Sequence, residues 1–228
     1  RLKLAENTLV VFSSDNGPAR AVGTSELKLM YDTATGAGYG IGAARGTTGG
    51  RKGYKAALFQ GGIGVPFIAR WPGKIAAGQV DNVSLISAVD LLPTFCALAG
   101  VTLPDDYRPD GISQVSALLG KPQMTRNKPL FWKMQAAWPI QKAKPYHWVS
   151  FAVVHENWKL LTNRDATYSE LYDIVSDPYE KSDQSENEPE VVQALTRRVE
   201  QWQATLPATP AGEVFSVERE MESRQRAR

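Results

Sequence analysis

Residues 8–12, TLVVF, form an unbroken apolar and β-branched run that stops at Ser13-Ser14 and then at Asp15-Asn16-Gly17-Pro18. Such a run closed by turn residues predicts a strand, and its lack of alternation predicts one covered on both faces, as in a parallel sheet. That feature directs the chain toward a layered α/β fold. It also raises a question about the two residues that end it. Asp and Asn after a strand are turn formers, because their side chains bond nearby backbone. A carboxylate and an amide oxygen are also hard-cation donors, and the carboxyl end of a strand is where open α/β sheets keep their sites. Local reasoning leaves both readings open for Asp15 and Asn16.

Eight glycines fall within residues 36–53, which argues for a long irregular loop. Residues 65–73, VPFIARWPG, predict a short strand stopped by Pro72-Gly73. Residues 90–99 predict a helix with Asp90 at the N-cap, Pro93 in the first turn and Gly100 just past the end. PDDYRPDG (residues 104–111) is loop, and Gly120-Lys121-Pro122 marks a boundary. Beyond it, KPLFWKM, HWVSFAVVHENWKLLTN and SELYDI predict antiparallel strands, with Glu156-Asn157 as a hairpin turn. Asn187, Pro189 and Glu190 resemble a capping-box start, and Val191, Val192, Leu195, Val199, Trp202 and Leu206 then recur at helical spacing. The tail from residue 207 to 228 is polar and is expected to be loose.

Several function classes drop out. The net charge of +2 over 228 residues is too small to indicate nucleic acid or an acidic membrane surface. The longest mostly apolar run, residues 85–101, contains Asp90 and Pro93 and reads as a core helix rather than a membrane span. The glycine-rich loop is no phosphate cradle: counting from Gly46, the second required Gly of a P-loop is Arg51. A single cysteine, Cys96, excludes an internal disulfide and a CxxC metal site, and its mid-helix position predicts a buried thiol. His147 and His155 lack acidic or cysteine neighbours at ligand spacing and read as packing or surface residues. Lys55, taken alone, reads as a surface charge. Asn82-Val83-Ser84 matches a glycosylation sequon, a pattern too short to weigh much.

Four blocks in order carry a resemblance: TLVVFSSDNGP, KAALFQGGIGVPFIARWPGKI, AVDLLPTFCALAGV, and ENWKLL followed by SELYDIVSDPYEKSD. Together they resemble the C-terminal half of the formylglycine-dependent sulfatases of the alkaline-phosphatase-like superfamily, over residues 7 to about 206. In tone, including ELKLMYDTATGAGYG, the sequence resembles bacterial enzymes similar to N-acetylgalactosamine-6-sulfatase and arylsulfatase A. The resemblance implies an alkaline-phosphatase-like mixed α/β sheet sandwich, here its C-terminal part (residues 1–122). A small α+β domain with an antiparallel sheet and one packed helix (residues 126–206) would follow it. It implies that Asp15 and Asn16 ligate an active-site Ca2+, with Mg2+ the lesser alternative. It also implies that Lys55, six residues before Gly61, contacts the sulfate; Lys52 has the wrong spacing. The implied substrate is a sulfated carbohydrate or aryl sulfate, with no nucleic acid and no membrane span, in a periplasmic or secreted setting. Trp132 and Trp138 would stack on sugar rings or, the favoured reading, pack in the core or at an interface.

Two departures accompany it. The nucleophile motif C/S-x-P/A-x-R is absent: Cys96 is followed by Ala97-Leu98-Ala99-Gly100, and Ser176-Asp177-Pro178-Tyr179-Glu180 ends in Glu. The formylglycine and the remaining metal ligands are therefore expected upstream, and the segment is expected to be the C-terminal part of a longer protein. Where the family reads Glu-Gly-Gly-x-Arg, this chain has Gln60-Gly61-Gly62-Ile63-Gly64. That change bears on substrate preference. Competing readings are a phosphodiester or phosphonate monoester hydrolase of the same superfamily and a degenerate binder of sulfated glycans.

Overall fold

The C-terminal strands hold the core, because they are apolar on both faces and each face has its own cover. In the computed structural model, which describes residues 2–18, 46–121, 126–134, 146 and 148–207, four of the strands form an antiparallel meander. They are β3 (Leu130–Lys133), β4 (Phe151–His155), β5 (Trp158–Thr162) and β6 (Ser169–Asp173), in that order. Phe151, Val153, Leu160 and Leu171 cluster with Leu195 and Val199 of helix α4 (Pro189–Thr205). Their out-of-step neighbours Ala152, Leu161 and Tyr172 cluster instead with Ala57, Leu58 and Phe59. The period-two alternation of a strand sends successive side chains to opposite faces, so one short sheet serves two apolar layers.

The predicted hairpin is present. His155 pairs with Trp158 across a two-residue turn, and Glu156 sits at φ +55, the left-handed region that favours glycine. Helix α4 follows its predicted apolar stripe, and Trp202 stacks on Phe131 of β3 with ring centroids 4.9 Å apart and planes 7° from parallel. Its start differs from the expected capping box. Asn187 is spent on the preceding turn, its amide donating to Gln184 Oε1 at 3.1 Å, and the N-cap is Glu188 with Pro189 at the first helical position.

The opening strand is present but differently placed. β1 (Val10–Ser13) pairs antiparallel with β2 (Phe67–Arg70), Val10 opposite Arg70 and Ser13 opposite Phe67. Val10 and Phe12 are 50% and 62% exposed, against the expectation of a strand buried in a parallel sheet. Apolar content records that a strand's faces suit burial; it carries no record of strand direction. Among the described residues no helix covers this two-stranded ribbon.

In chain order α1 (Gln60–Ile63) lies between β1 and β2, and α2 (Leu91–Ala99) and α3 (Val115–Leu118) lie between β2 and β3. Gly100, at φ +68, ends α2 as predicted, and Val101 N–H reaches back to Cys96 O at 2.8 Å. Asp90 caps a different element than expected. Its carboxylate closes a capping box with Ser87 around the 3-10 turn Ala88–Asp90, so the helix proper begins without a side-chain cap. Cys96 is half-buried rather than buried, because α2 turns its Pro93 and Thr94 face inward and leaves Cys96 on the flank. Residues 52–63 lie against the C-terminal sheet, so the stretch after the glycine-rich loop is part of that sheet's packing.

Candidate functional site

Chain geometry delivers two turns to one place. β1 runs into Ser14-Asp15-Asn16, where Ser14 Oγ donates to Asn16 O at 2.9 Å and Asn16 Nδ2 donates to Gly17 O at 2.9 Å. These are the local turn bonds that Asx and Ser residues make. Asp15 is exposed and Asn16 half-buried. Among the described residues the Asn16 side-chain oxygen accepts no hydrogen bond, which suits it to ligate a cation, and Asp15 supplies a carboxylate beside it.

The second turn comes from residues 52–63. Gly17 N–H donates to Gly62 O at 2.8 Å, and Lys55 N–H donates to Pro18 O at 2.9 Å. The Asp15–Asn16 turn is thereby tied on one side to α1 and on the other to Lys55. Two close packings require glycine: a Cβ on Gly17, facing α1, would lie 1.8 Å from Gly61 O, and one on Gly62, facing the Lys55 turn within the second segment, would lie 2.0 Å from Ala57 O. The Gly-Gly pair thus lets two backbone segments touch, a structural use for a motif that from sequence resembled only a signature.

The two lysines of this segment differ in what holds them. Lys52 Nζ is 2.8 Å from Glu170 Oε2 and 2.8 Å from the Tyr172 hydroxyl, and it lies 4.4 Å over the Phe59 ring. Burial and the Glu170 carboxylate push the Tyr172 phenol well above its ordinary range, so it stays a neutral donor in this network. Lys55 is exposed, and among the described residues its ammonium makes no hydrogen bond or ion pair. It sits in a turn closed by Ala57 N–H to Tyr54 O at 2.9 Å, with Ala56 at φ +70. A positive φ at the third residue is what a type II turn demands and what alanine resists. Ala56→Gly should therefore raise stability by roughly 0.5–1 kcal/mol, the left-handed penalty less the entropy glycine adds to the unfolded chain. A denaturant midpoint shifted upward at constant slope checks it.

Two buried groups behind the site escaped sequence reasoning. Lys159 and Glu180 form a fully buried ion pair at 2.7 Å, and the other Glu180 oxygen accepts Gln60 N–H at 2.7 Å. Burial depresses the Lys159 ammonium against the opposing pull of Glu180. Glu180 belongs to the SDPYEKSD block, yet nothing in one sequence marks a charged residue there as buried. Gln60 lies on this contact, and its side-chain oxygen occupies the space beside Gly64, 2.8 Å from where a Cβ would stand.

The remaining candidates do not join the site. His155 is half-buried, and its imidazole is depressed by that burial and by the Arg198 charge nearby, surroundings unsuited to a cation. Trp132 packs against the Phe59–Tyr172 core. Asn82 is exposed in a loop held by Asp81. His147, Trp138 and the glycines from Gly36 to Gly42 lie outside the described residues, as does the tail beyond residue 207. Among the described residues no three His, Cys, Asp or Glu side chains cluster as a metal site. No helix among them is long and apolar enough to cross a membrane.

A family model described as N-sulphoglucosamine sulphohydrolase, C-terminal, matches residues 52–205, and one described as Sulfatase matches residues 1–101. The chain is 29% identical to an N-acetylgalactosamine-6-O-sulfatase of Bacteroides thetaiotaomicron, over 87% of this chain and 37% of that protein. It is 31% identical to human steryl-sulfatase, over 92% of this chain and 37% of that protein. Among solved structures, one from work on glycosaminoglycan metabolism by Bacteroides thetaiotaomicron is similar at a TM-score of 0.62 and 25% identity, covering 89% of this chain and 40% of that one. The PsFucS1 sulfatase from Pseudoalteromonas sp. follows at a TM-score of 0.58 and 25% identity, covering 90% and 39%. The chain spans less than half the length of these relatives.

Proposed function

The chain belongs to the formylglycine-dependent sulfatase superfamily, and from that premise we propose that it forms the C-terminal part of a sulfuric ester hydrolase acting on sulfated carbohydrates. The observation that carries the reading is the pair of backbone bonds, Gly17 to Gly62 and Lys55 to Pro18, that brings the Asp15–Asn16 turn and the Lys55 turn together. The name N-acetylgalactosamine-6-O-sulfatase for one relative supports the substrate class. In this proposal residues 1–122 carry the site and residues 126–206 support it, in a periplasmic or secreted protein.

Each group has a role suited to its chemistry. Asp15 and Asn16 offer one carboxylate and one amide oxygen, a donor set that fits a hard cation such as Ca2+ and supplies two of the six to eight oxygens it takes. Bound there, the cation would supply Lewis-acid polarisation of the sulfate and a template for the nucleophile. Lys55 carries an ammonium with no partner among the described residues, able to meet sulfate oxygens and offset charge as it develops on the departing alkoxide. In this proposal the nucleophile would be a formylglycine of the full-length protein. Gly17 lets the Asp15–Asn16 turn approach α1, Gly62 lets α1 pack on the Lys55 turn, and the Lys52–Glu170–Tyr172 network anchors the start of the loop that presents Lys55.

The test uses the full-length protein. It should release sulfate from a sulfated carbohydrate, lose that activity on chelation and recover it with Ca2+, and Asp15→Ala should block the recovery. Hydrolysis of phosphodiesters in preference to sulfate esters would overturn the substrate class. Activity and melting temperature untouched by chelation would overturn the assignment of Asp15 and Asn16.

A further inference from the structure

Buried ion pairs are weak sources of stability, since well-packed apolar residues of similar size often do as well or better. Lys159 and Glu180 nonetheless sit fully buried, with the Glu180 carboxylate against the backbone of Gln60. The backbone is bent to deliver the carboxylate: Glu180 adopts φ +55, and Asp177 Oδ2 clamps the next two amides, Lys181 at 2.7 Å and Ser182 at 2.9 Å. One Glu180 oxygen meets Lys159. The other accepts Gln60 N–H, at the first residue of α1. Two residues on, Gly62 O receives the Gly17 amide.

We propose that Glu180 is a positioning residue: its carboxylate, made tolerable in the core by Lys159, sets the placement of α1 and hence the meeting of the Asp15–Asn16 turn with the Lys55 turn. The chain of contacts is short and entirely backbone beyond the carboxylate. Glu180 holds Gln60, α1 holds Gly62, Gly62 holds Gly17, and Pro18 holds Lys55. The C-terminal sheet, which supplies none of the groups assigned to the reacting atoms, would thereby control the site. The proposal rests on the sulfatase reading for its catalytic consequence only.

Removing Glu180 alone would strand a buried ammonium and confuse misfolding with mispositioning. The test therefore compares two charge-free double variants of the full-length protein, Lys159→Met with Glu180→Gln and Lys159→Met with Glu180→Leu. Both remove the ion pair, and only the first keeps an oxygen for Gln60 N–H. Amide exchange at Gly17 and Lys55 should stay near wild type in the Gln variant and rise about tenfold or more in the Leu variant. Exchange in β4 and β5 should be the same in both. With a sulfate ester, kcat should fall in the Leu variant while KM holds, the signature of a lost transition-state contact. Equal exchange at Gly17 and Lys55 in the two variants would overturn the proposal, as would a Leu variant that loosens β4 and β5 equally. Faster exchange without loss of kcat would overturn its catalytic consequence. If the wild type hydrolyses no sulfate ester, the sulfatase reading fails, and the exchange comparison still decides the positioning claim.

Discussion

Lys55→Ala in the full-length protein should cut kcat/KM for sulfate release by about 10²–10³-fold, roughly 2.7–4 kcal/mol, and leave the melting temperature nearly unchanged. The size is that of removing one preorganised charge aimed at a developing oxyanion. The unchanged melting temperature follows from the structure, where Lys55 is exposed and its side chain has no partner among the described residues. Lys52→Ala provides the contrast. Lys52 holds Glu170 and the Tyr172 hydroxyl and covers the Phe59 ring, so its loss should show in stability first. Parallel assays of sulfate release and thermal unfolding separate the two lysines. Wild-type turnover in Lys55→Ala would remove it from the mechanism.

Asp90→Ala should destabilise the protein by about 3–5 kcal/mol, the cost of leaving a buried charge without its partner. Arg126 pairs with Asp90 through two bonds of 2.8 and 2.9 Å, with side chains 3% and 0% exposed. Asp90 also accepts Ser87 N–H and Ile112 N–H, both at 2.8 Å, so alanine orphans two backbone donors as well. The pair joins the start of α2 to the segment leading into β3, across the predicted boundary near Gly120. Denaturant unfolding at constant slope measures the loss, and a loss below about 1 kcal/mol would contradict a buried pair.

Local signals are legible where a single residue decides the conformation. Gly100 ends α2, Glu156-Asn157 turns the β4–β5 hairpin, and the spacing of Leu195, Val199 and Trp202 lays α4 on the sheet. The turn and the helix end depend on contacts within a few residues, and the apolar stripe of α4 on its own spacing, which turn chemistry and periodicity capture. The differences concern what lies opposite. The unbroken apolar run of β1 predicts a covered parallel sheet, yet the strand pairs antiparallel with β2 in an exposed ribbon, because apolar content does not encode strand direction. Asp90 stands where a cap of α2 belongs, yet its carboxylate serves the preceding turn and an arginine 36 residues away.

For the candidate site, the sequence by itself determined the chemical identities: a carboxylate and an amide after a strand, a lysine six residues before Gly-Gly, and the family blocks around them. Tertiary structure alone decided which groups are free and which are spent. It engaged Lys52 and not Lys55 in a half-buried network, turned Gly17 and Gly62 into a backbone contact, and placed Glu180 against Gln60 from 120 residues away. The physical reason is that availability depends on burial and on distant partners. A lysine in sequence is only an ammonium; what stands within hydrogen-bonding reach of it is a property of the fold.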